Sequence, residues 1–370
     1  MSVLFSPIQL RGLVLKNRIM VAPMCQYSAV NGEANDWHFT HINNLALSGA
    51  AMFCIEATAV EAIGRITPGC LGLWNDATEA ALKPVIASVR KHSKTAIAMQ
   101  LAHAGRKASS HTPWDGGQLI PPAEGGWQAE GPSAVPHKDG EAAPLAFDEA
   151  GLARVRDAFV AAAKRAARLG LDALEVHCAH GYLLHQFLSP IANRRTDQYG
   201  GSLQNRMRFP LEVFAAVRAA FPSDKPVGLR VSATDWVEGG WDLPQTIEFA
   251  KELTKREIDW IDVSSGGVSP LQKIALGPGY QVPFAQAVKE ATGVTTMAVG
   301  LITEPKQAEE IVASGNADMV ALARGMLYDP RWGWHAAVQL GGQVDAPPQY
   351  WRSQPSTQKA LFGATTFGTR

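Results

Sequence analysis

Charge of one sign is the first thing this chain lacks. Its 34 Lys and Arg residues are matched by 34 Asp and Glu, for a formal net charge of zero. No basic excess is available to neutralise a phosphate backbone or an anionic membrane, and no acidic tail stands out, so nucleic-acid and membrane-surface roles are unsupported. Cysteine is equally scarce. The four present, Cys25, Cys54, Cys70 and Cys178, lie far apart and form no C-x-x-C pair, which argues against a zinc knuckle or an iron–sulfur cluster. Four cysteines in a chain of this length also make no secreted disulfide scaffold, so a reducing cytoplasm is expected. No uninterrupted apolar run reaches the roughly 18 residues of a membrane helix, and the segment Met1–Pro7 has no basic stretch leading into an apolar one. Neither a membrane span nor a secretory leader is expected. Finally, no G-x-G-x-x-G and no G-x-x-x-x-G-K-[ST] follows a strand. A pyridine nucleotide, if one takes part, is not held by a Rossmann domain and would dock transiently onto another bound cofactor.

What is present is a regular alternation. Of the 370 residues 46% are hydrophobic and 18% charged, enough apolar material for a large core. Short apolar runs read as strands at 18–23, 51–56, 95–101, 173–177, 227–232, 260–264, 295–299 and 318–323. Each is bounded by Gly, Pro or polar residues, as buried parallel strands are. Helical stretches fall between most of them. The clearest covers 152–169, where Val155, Phe159, Val160, Ala163 and Ala166 share a face and Gly170 stands at the C-cap position. Eight strands with intervening helices predict a (β/α)₈ TIM barrel, and barrels of this length fold as one domain, here 1–370. Two segments break the pattern. Residues 107–149, rich in Pro and Gly, follow the third strand and are expected to rise over the barrel mouth as a capping loop or small hairpin. From about 342 to 370 the sequence has no clear period and reads as an arm.

Chemistry in such a barrel collects after the C-terminal ends of the strands. In order, those positions hold Pro23 to Tyr27, Glu56 to Thr58, Gln100 to Lys107, His177 to Tyr182, Arg230 to Ser232, Val299 to Leu301 and Ala323 to Gly325. A lone histidine is more often structural than catalytic, but His177 and His180 are paired three apart, with Tyr182 two residues on. An H-x-x-H pair can bind a metal, yet no Asp, Glu or third His stands in that turn and H-E-x-x-H spacing is absent. Gly300 and Gly325 could merely permit tight turns. In a barrel, however, the loops after the last two strands often bind phosphate through backbone N–H groups, and Arg324 could add a bidentate contact.

Together these segments resemble the old yellow enzyme family, in particular the subclass that includes the xenobiotic reductases. The matching stretches are Ala22 to Ser28 (APMCQYS), Glu61 to Pro68, Gln100 to Ala108 (QLAHAGRKA), Glu175 to His185 (EVHCAHGYLLH), Asn193 to Ser202 (NRRTDQYGGS) and Ala298 to Ile302. The likeness runs from about residue 3 to 352, and H-x-A-H-G-Y-L together with R-T-D-x-Y-G-G-S is highly specific. It implies a tightly but non-covalently bound FMN over the barrel mouth, flanked by Ala22, Pro23, Met24, Cys25 and Ala57. Gln100 would meet the pyrimidine edge, and Arg230 the N1/C2=O side, where its charge favours the reduced flavin. Gly300, Leu301, Ala323 and Arg324 would hold the phosphate.

The same resemblance gives His177 and His180 the substrate's carbonyl oxygen and makes Tyr182 the proton donor to the α-carbon, with Tyr27 as a second carbonyl contact. Cys25 marks the subclass, its sulfur shaping the pocket and the flavin potential. Arg352 resembles a C-terminal arginine that enters the neighbouring subunit's active site, with Trp351 as the alternative pocket-lining residue. The chain runs on past Arg352, a departure from shorter members. The implied activity is NAD(P)H-driven reduction of activated alkenes such as enones, enals, maleimides and nitro compounds, in a homodimer or homotetramer. Enzymes that share the barrel but carry an iron–sulfur cluster and further nucleotide-binding domains are excluded by the cysteine spacing and the chain length. Two other readings stay open at this level. One is a metal-dependent barrel hydrolase using His177 and His180; the other is a barrel that binds ligands without turnover.

Overall fold

The first element is an antiparallel hairpin of β1 (Ile8–Leu10) and β2 (Leu13–Leu15). In this computed structural model, which describes residues 2–365, the hairpin precedes the barrel strands β3 (Ile19–Val21), β4 (Met52–Ala59) and β5 (Ala96–Ala102). A short parallel pair, β6 (Glu130–Gly131) and β7 (Leu145–Ala146), lies in the connection after β5. Then come β8 (Ala173–Cys178), β9 (Val227–Ser232), β10 (Ile261–Ser264), β11 (Thr296–Ala298) and β12 (Met319–Leu322). Strands β3, β4, β5 and β8 to β12 close into a parallel barrel in chain order. All eight strands expected from the apolar runs take part, their ends shifted by at most a few residues.

Among the described residues ten helices alternate with these strands: α1 (Asp36–Ala46), α2 (Asp76–His92), α3 (Glu149–Arg168), α4 (Leu183–Leu188), α5 (Leu203–Ala220), α6 (Leu243–Thr254), α7 (Val282–Thr292), α8 (Pro305–Ala313), α9 (Arg324–Tyr328) and α10 (Trp332–Leu340). Local chemistry sets their ends. The Asp148 carboxylate accepts the Gly151 N–H at 2.7 Å and starts α3 three residues earlier than the apolar period indicated. Gly170, with φ at +75°, follows its end as expected. One face of α3 buries Leu152, Val155, Phe159 and Ala163 against the barrel; truncating a ring such as Phe159 would cost about 3–5 kcal/mol.

The period-two alternation of the strands separates two cores. Outward residues such as Leu174, Val176 and Val231 join the layer under the helices. Inward residues fill the barrel: Met20, Met52, Cys54, Ala98, Trp260 and Met297 pack with Leu10 and Leu15 of the hairpin, which plugs the end where the strands begin. Small inward residues leave room for the Trp260 indole; a Cβ on Gly228 would lie 2.1 Å from it.

The 107–149 segment is folded. A bridge between Ser110 and Leu119 makes a small hairpin with a turn at Pro113–Asp115 on its tip. Arg106 ties the segment down, donating to the carbonyls of Val135, Pro136 and Val268. The arm returns to the barrel's lower end. Trp334, Val344, Leu361 and Phe362 form a cluster there with Phe5 and Trp351. The remainder of the expected arm, 366–370, lies outside the described residues. Among the described residues no helix is long and apolar enough to cross a membrane.

Candidate active site

The loop after β8 carries the densest chemistry. Its turn is forced by backbone geometry: His180 has φ at +59° and Gly181 +73°. A Cβ on Gly181 would sit 2.0 Å from the Gly267 carbonyl oxygen, and one on Gly267 would sit 2.4 Å from the His180 carbonyl carbon. Only glycines let these two loops touch. Behind the turn, the Gly181 N–H donates to His185 Nδ1 at 2.8 Å, and His185 Nε2 meets the buried Asp235 at 2.8 Å. Ser189 Oγ (2.6 Å) and the Trp241 N–H (2.7 Å) complete that carboxylate's shell.

This turn gathers His177, His180 and Tyr182. The ring centroids of His177 and His180 are 5.2 Å apart, and those of His177 and Tyr182 5.0 Å. Burial first, then the Arg230 charge, depresses both histidines well below their ordinary value, so both are neutral near pH 7. The Ala179 N–H donates to His177 Nδ1 at 3.3 Å, which leaves the proton on Nε2. His180 Nε2 lies 2.8 Å from Ser264 Oγ, whereas Ser264 Oγ is 3.4 Å from Gln281 Oε1. His177 thus keeps one N–H for a ligand oxygen, and the His180 ring stands beside it with Ser264 on its Nε2. Burial holds the Tyr182 hydroxyl well above its usual value, hence fully protonated. Sequence reasoning gave no role to Lys107, yet its ammonium donates to the carbonyls of His180 and Gly267 and stands 4.9 Å over the Tyr182 ring. Burial, aided by Arg106, lowers Lys107 to about 8.

Across the mouth, the β3 loop presents the half-buried Pro23, Met24, Cys25 and Tyr27, with Ala22 buried below them. Glu56 anchors it by accepting the Gln26 N–H at 2.9 Å. A register shift between β4 and β5 falls at Ile55–Thr58 and brackets Ala57, the kind of irregularity that re-aims backbone beside a site. Burial raises the Cys25 thiol well above its usual value, with Cys70 and Glu56 adding to it, so Cys25 is a protonated, non-nucleophilic sulfur. Tyr27 is also raised, mainly by burial. Its ring meets the edge of Trp114 from the capping hairpin at 5.5 Å.

Below the mouth, Gln100 Nε2 donates to Glu175 Oε1 at 2.8 Å, and Arg230 Nε lies 3.0 Å from Asp262 Oδ2. All four side chains are buried. At the ends of β11 and β12, Gly300 (φ +119°) and Leu301 (φ +52°) turn consecutively left-handed. Among the described residues neither gives its N–H to a protein acceptor. Beside them stand the half-buried Ala323, the exposed Arg324 and Gly325, on which a Cβ would have only ordinary contact, 3.8 Å from the Ile302 carbonyl oxygen. Trp351 and Arg352 are not brought to this mouth. Trp351 packs with Phe5 and Trp334 at the opposite end of the barrel, its indole N–H on the Ala346 carbonyl at 3.0 Å, and Arg352 is exposed beside it.

A mouth walled by neutral hydrogen-bond donors on one side and sulfur and aromatic groups on the other, with a buried arginine beneath and an open backbone turn, defines a barrel oxidoreductase site for a planar, phosphorylated cofactor. The chain belongs to the NADH:flavin oxidoreductase / NADH oxidase family, whose model matches residues 3–342. It is 43% identical over 358 residues to an NADH:flavin oxidoreductase of Gibberella zeae, covering 92% of this chain and 86% of that one. With the NADPH dehydrogenase of Geobacillus thermodenitrificans it shares 41% over 353 residues, 95% of this chain and 98% of the relative. Among solved structures, morphinone reductase in complex with tetrahydroNAD superposes with a TM-score of 0.75 at 28% identity, over 96% of this chain and 93% of that one. The old yellow enzyme resemblance is thus shown, and the protein is an FMN enzyme that takes its electrons from NAD(P)H. The metal-dependent hydrolase reading gives way to this family. Among the described residues no group of three or more His, Cys, Asp or Glu is placed to hold a metal.

The residues present fit FMN. Gln100 retains its Oε1 and one N–H, Arg230 sits buried where its charge is felt by His177 and His180, and the open N–H groups at Gly300 and Leu301 together with Arg324 suit a phosphate.

Proposed function

We propose that this enzyme reduces the C=C bond of activated alkenes, among them enones, enals, maleimides and nitro compounds, and that the residues gathered at the mouth are its site. Bound FMN would supply the hydride, delivered from N5 to the β-carbon. His177 and His180 would hold the carbonyl or nitro oxygen between their two N–H groups. As neutral donors they polarise the alkene without giving up a proton to it. Tyr182 would protonate the α-carbon, and Tyr27 would flank the acceptor oxygen. Pro23, Met24, Cys25, Ala57, Gln100 and Arg230 would surround the flavin ring, and Gly300, Leu301, Ala323 and Arg324 its phosphate. The observation that carries this reading is the His177–His180–Tyr182 cluster, in which two neutral imidazoles and a protonated phenol stand about 5 Å apart.

The same reading takes the chain as one folding domain that works in a reducing cytoplasm, as its four free cysteines suit. It takes the enzyme as a homodimer or homotetramer. Arg352 and Trp351, remote from their own mouth, would then serve a neighbour's.

The test is an anaerobic absorbance titration with NADPH followed by 2-cyclohexenone. Bleaching of the flavin band by NADPH and its return with the enone is the expected result. Bleaching without enone-driven recovery would refute the alkene reading and leave the flavin; a colourless protein that cannot be reconstituted with FMN would refute the site.

A further inference from the structure

The barrel interior holds a charged layer of which the chemistry above it uses Arg230 and leaves both carboxylates without a role. Glu175 on β8 and Asp262 on β10 are both fully buried, and Arg230 on the strand between them faces both. Arg230 stands 3.0 Å from Asp262, whose two carboxylate oxygens have no well-formed hydrogen bond. Glu175 is instead held by Gln100 Nε2 at 2.8 Å from β5 and by Trp260 Nε1 at 3.3 Å from below. The remaining titratable groups of the layer are Cys54 on β4, which burial keeps as a thiol, and His177 on β8, which burial keeps neutral. Two carboxylates therefore share one guanidinium where water does not reach. Ionising both would leave an uncompensated negative charge in the barrel, so one proton stays. Asp262 has the closer contact to the cation, and Glu175 keeps the proton.

We propose that Glu175 is held as a neutral carboxylic acid beneath the flavin, and that loss of its proton sets the alkaline limit of flavin reduction. This rests on the placement of FMN over Gln100 and Arg230. Burial, with the Asp262 charge adding to it, raises Glu175 to about 8, so the acid form persists through neutral pH. With Glu175 protonated, Arg230 and Asp262 cancel and the layer is neutral. Above that point the layer carries one net negative charge, directed at the place where hydride transfer adds another. The titration itself moves one proton between carboxyl and solvent and no electron. Glu175 touches neither substrate nor hydride; it acts through Arg230 and the local charge.

Infrared difference spectra of the oxidised holoenzyme between about pH 6 and about pH 10 test the protonation directly. A protonated-carboxyl C=O band that disappears on the alkaline side, and is absent from Glu175→Gln, is expected. In Asp262→Asn, where Glu175 faces Arg230 alone, the band should already be missing at neutral pH. The midpoint potential of the bound flavin should fall with pH along a slope that doubles above about pH 8, and Glu175→Gln should keep the single slope throughout. No such band at neutral pH, or a band that survives Glu175→Gln, overturns the proposal. A band that behaves as expected in both holoenzyme and apoprotein, beside a potential with one slope, overturns the link to reduction and shows that the flavin placement is what failed.

Discussion

Replacing Asp235 by Asn removes one charge and no volume, yet the structure makes it a severe change. The carboxylate accepts three hydrogen bonds: His185 Nε2 on Oδ1, and Ser189 Oγ and the Trp241 N–H on Oδ2. An asparagine must turn its NH₂ toward one of these sides. Facing His185 it meets an N–H, and that ring cannot move its proton because Nδ1 already accepts from Gly181. Facing the other side it meets the Trp241 N–H. Either orientation strands a buried donor, at about 1–3 kcal/mol, and weakens the charge-assisted bonds, for a total of about 3–5 kcal/mol. Ser189→Ala removes one bond alone and should cost about 1 kcal/mol. Burial raises the Asp235 carboxyl, but His185 and its other donors outweigh this and hold it below the usual carboxylate value. Its contribution is therefore present above the unfolded-state value of 3.8 and lost as pH falls below it. The assay is urea denaturation of the holoenzyme at neutral pH, paired with stopped-flow measurement of both half-reactions. The anchor holds Gly181, one residue from Tyr182, so alkene reduction should slow more than reduction by NADPH. A stability within about 0.5 kcal/mol of wild type, or equal loss in both half-reactions, would refute the reasoning.

Tyr182→Phe should slow alkene reduction by about 10²- to 10⁴-fold while leaving flavin reduction nearly intact in rapid-mixing experiments; parallel loss would contradict the proton-donor role. The double replacement of His177 and His180 by Ala should abolish the long-wavelength absorption that phenols produce on the oxidised flavin, and an unchanged phenol affinity would move the oxyanion site elsewhere. Trp114→Ala deletes an edge contact worth about 0.5–1.5 kcal/mol. It should raise KM for bulky cyclic enones about 2- to 12-fold and spare a small enal; a uniform change would show that Trp114 merely covers Tyr27. Because Glu175 is raised from 4.5 to about 8, its stabilisation is complete below pH 4.5 and is lost as pH climbs toward 8. Glu175→Gln should flatten denaturation midpoints across that window, and an unaltered pH slope would count against a buried acid.

The barrel was legible because each strand is a short apolar run between polar punctuation, and the histidine turn because chemistry sits where such strands end. The charged layer was harder to see. Glu175 lies in ALEVH and Asp262 in WIDVS, runs that read as apolar strands, and only the period-two register with His177 and Arg230 turns both inward. That alternation was available in the sequence. The pairing of Trp114 with Tyr27, the reach of Lys107 to Tyr182 and the return of the tail to Phe5 were not. They join residues remote in the chain through loops that have no period to read.

The hairpin of Leu10 and Leu15 has a kinetic meaning. By stoppering one end of the barrel it leaves the other open, the mouth beside Tyr27 and Tyr182. On the proposed function, electron donor and alkene would take turns on the same floor, each leaving before the other enters. Parallel double-reciprocal plots, and an excess of alkene that competes with the nicotinamide, are then the expected kinetic signature.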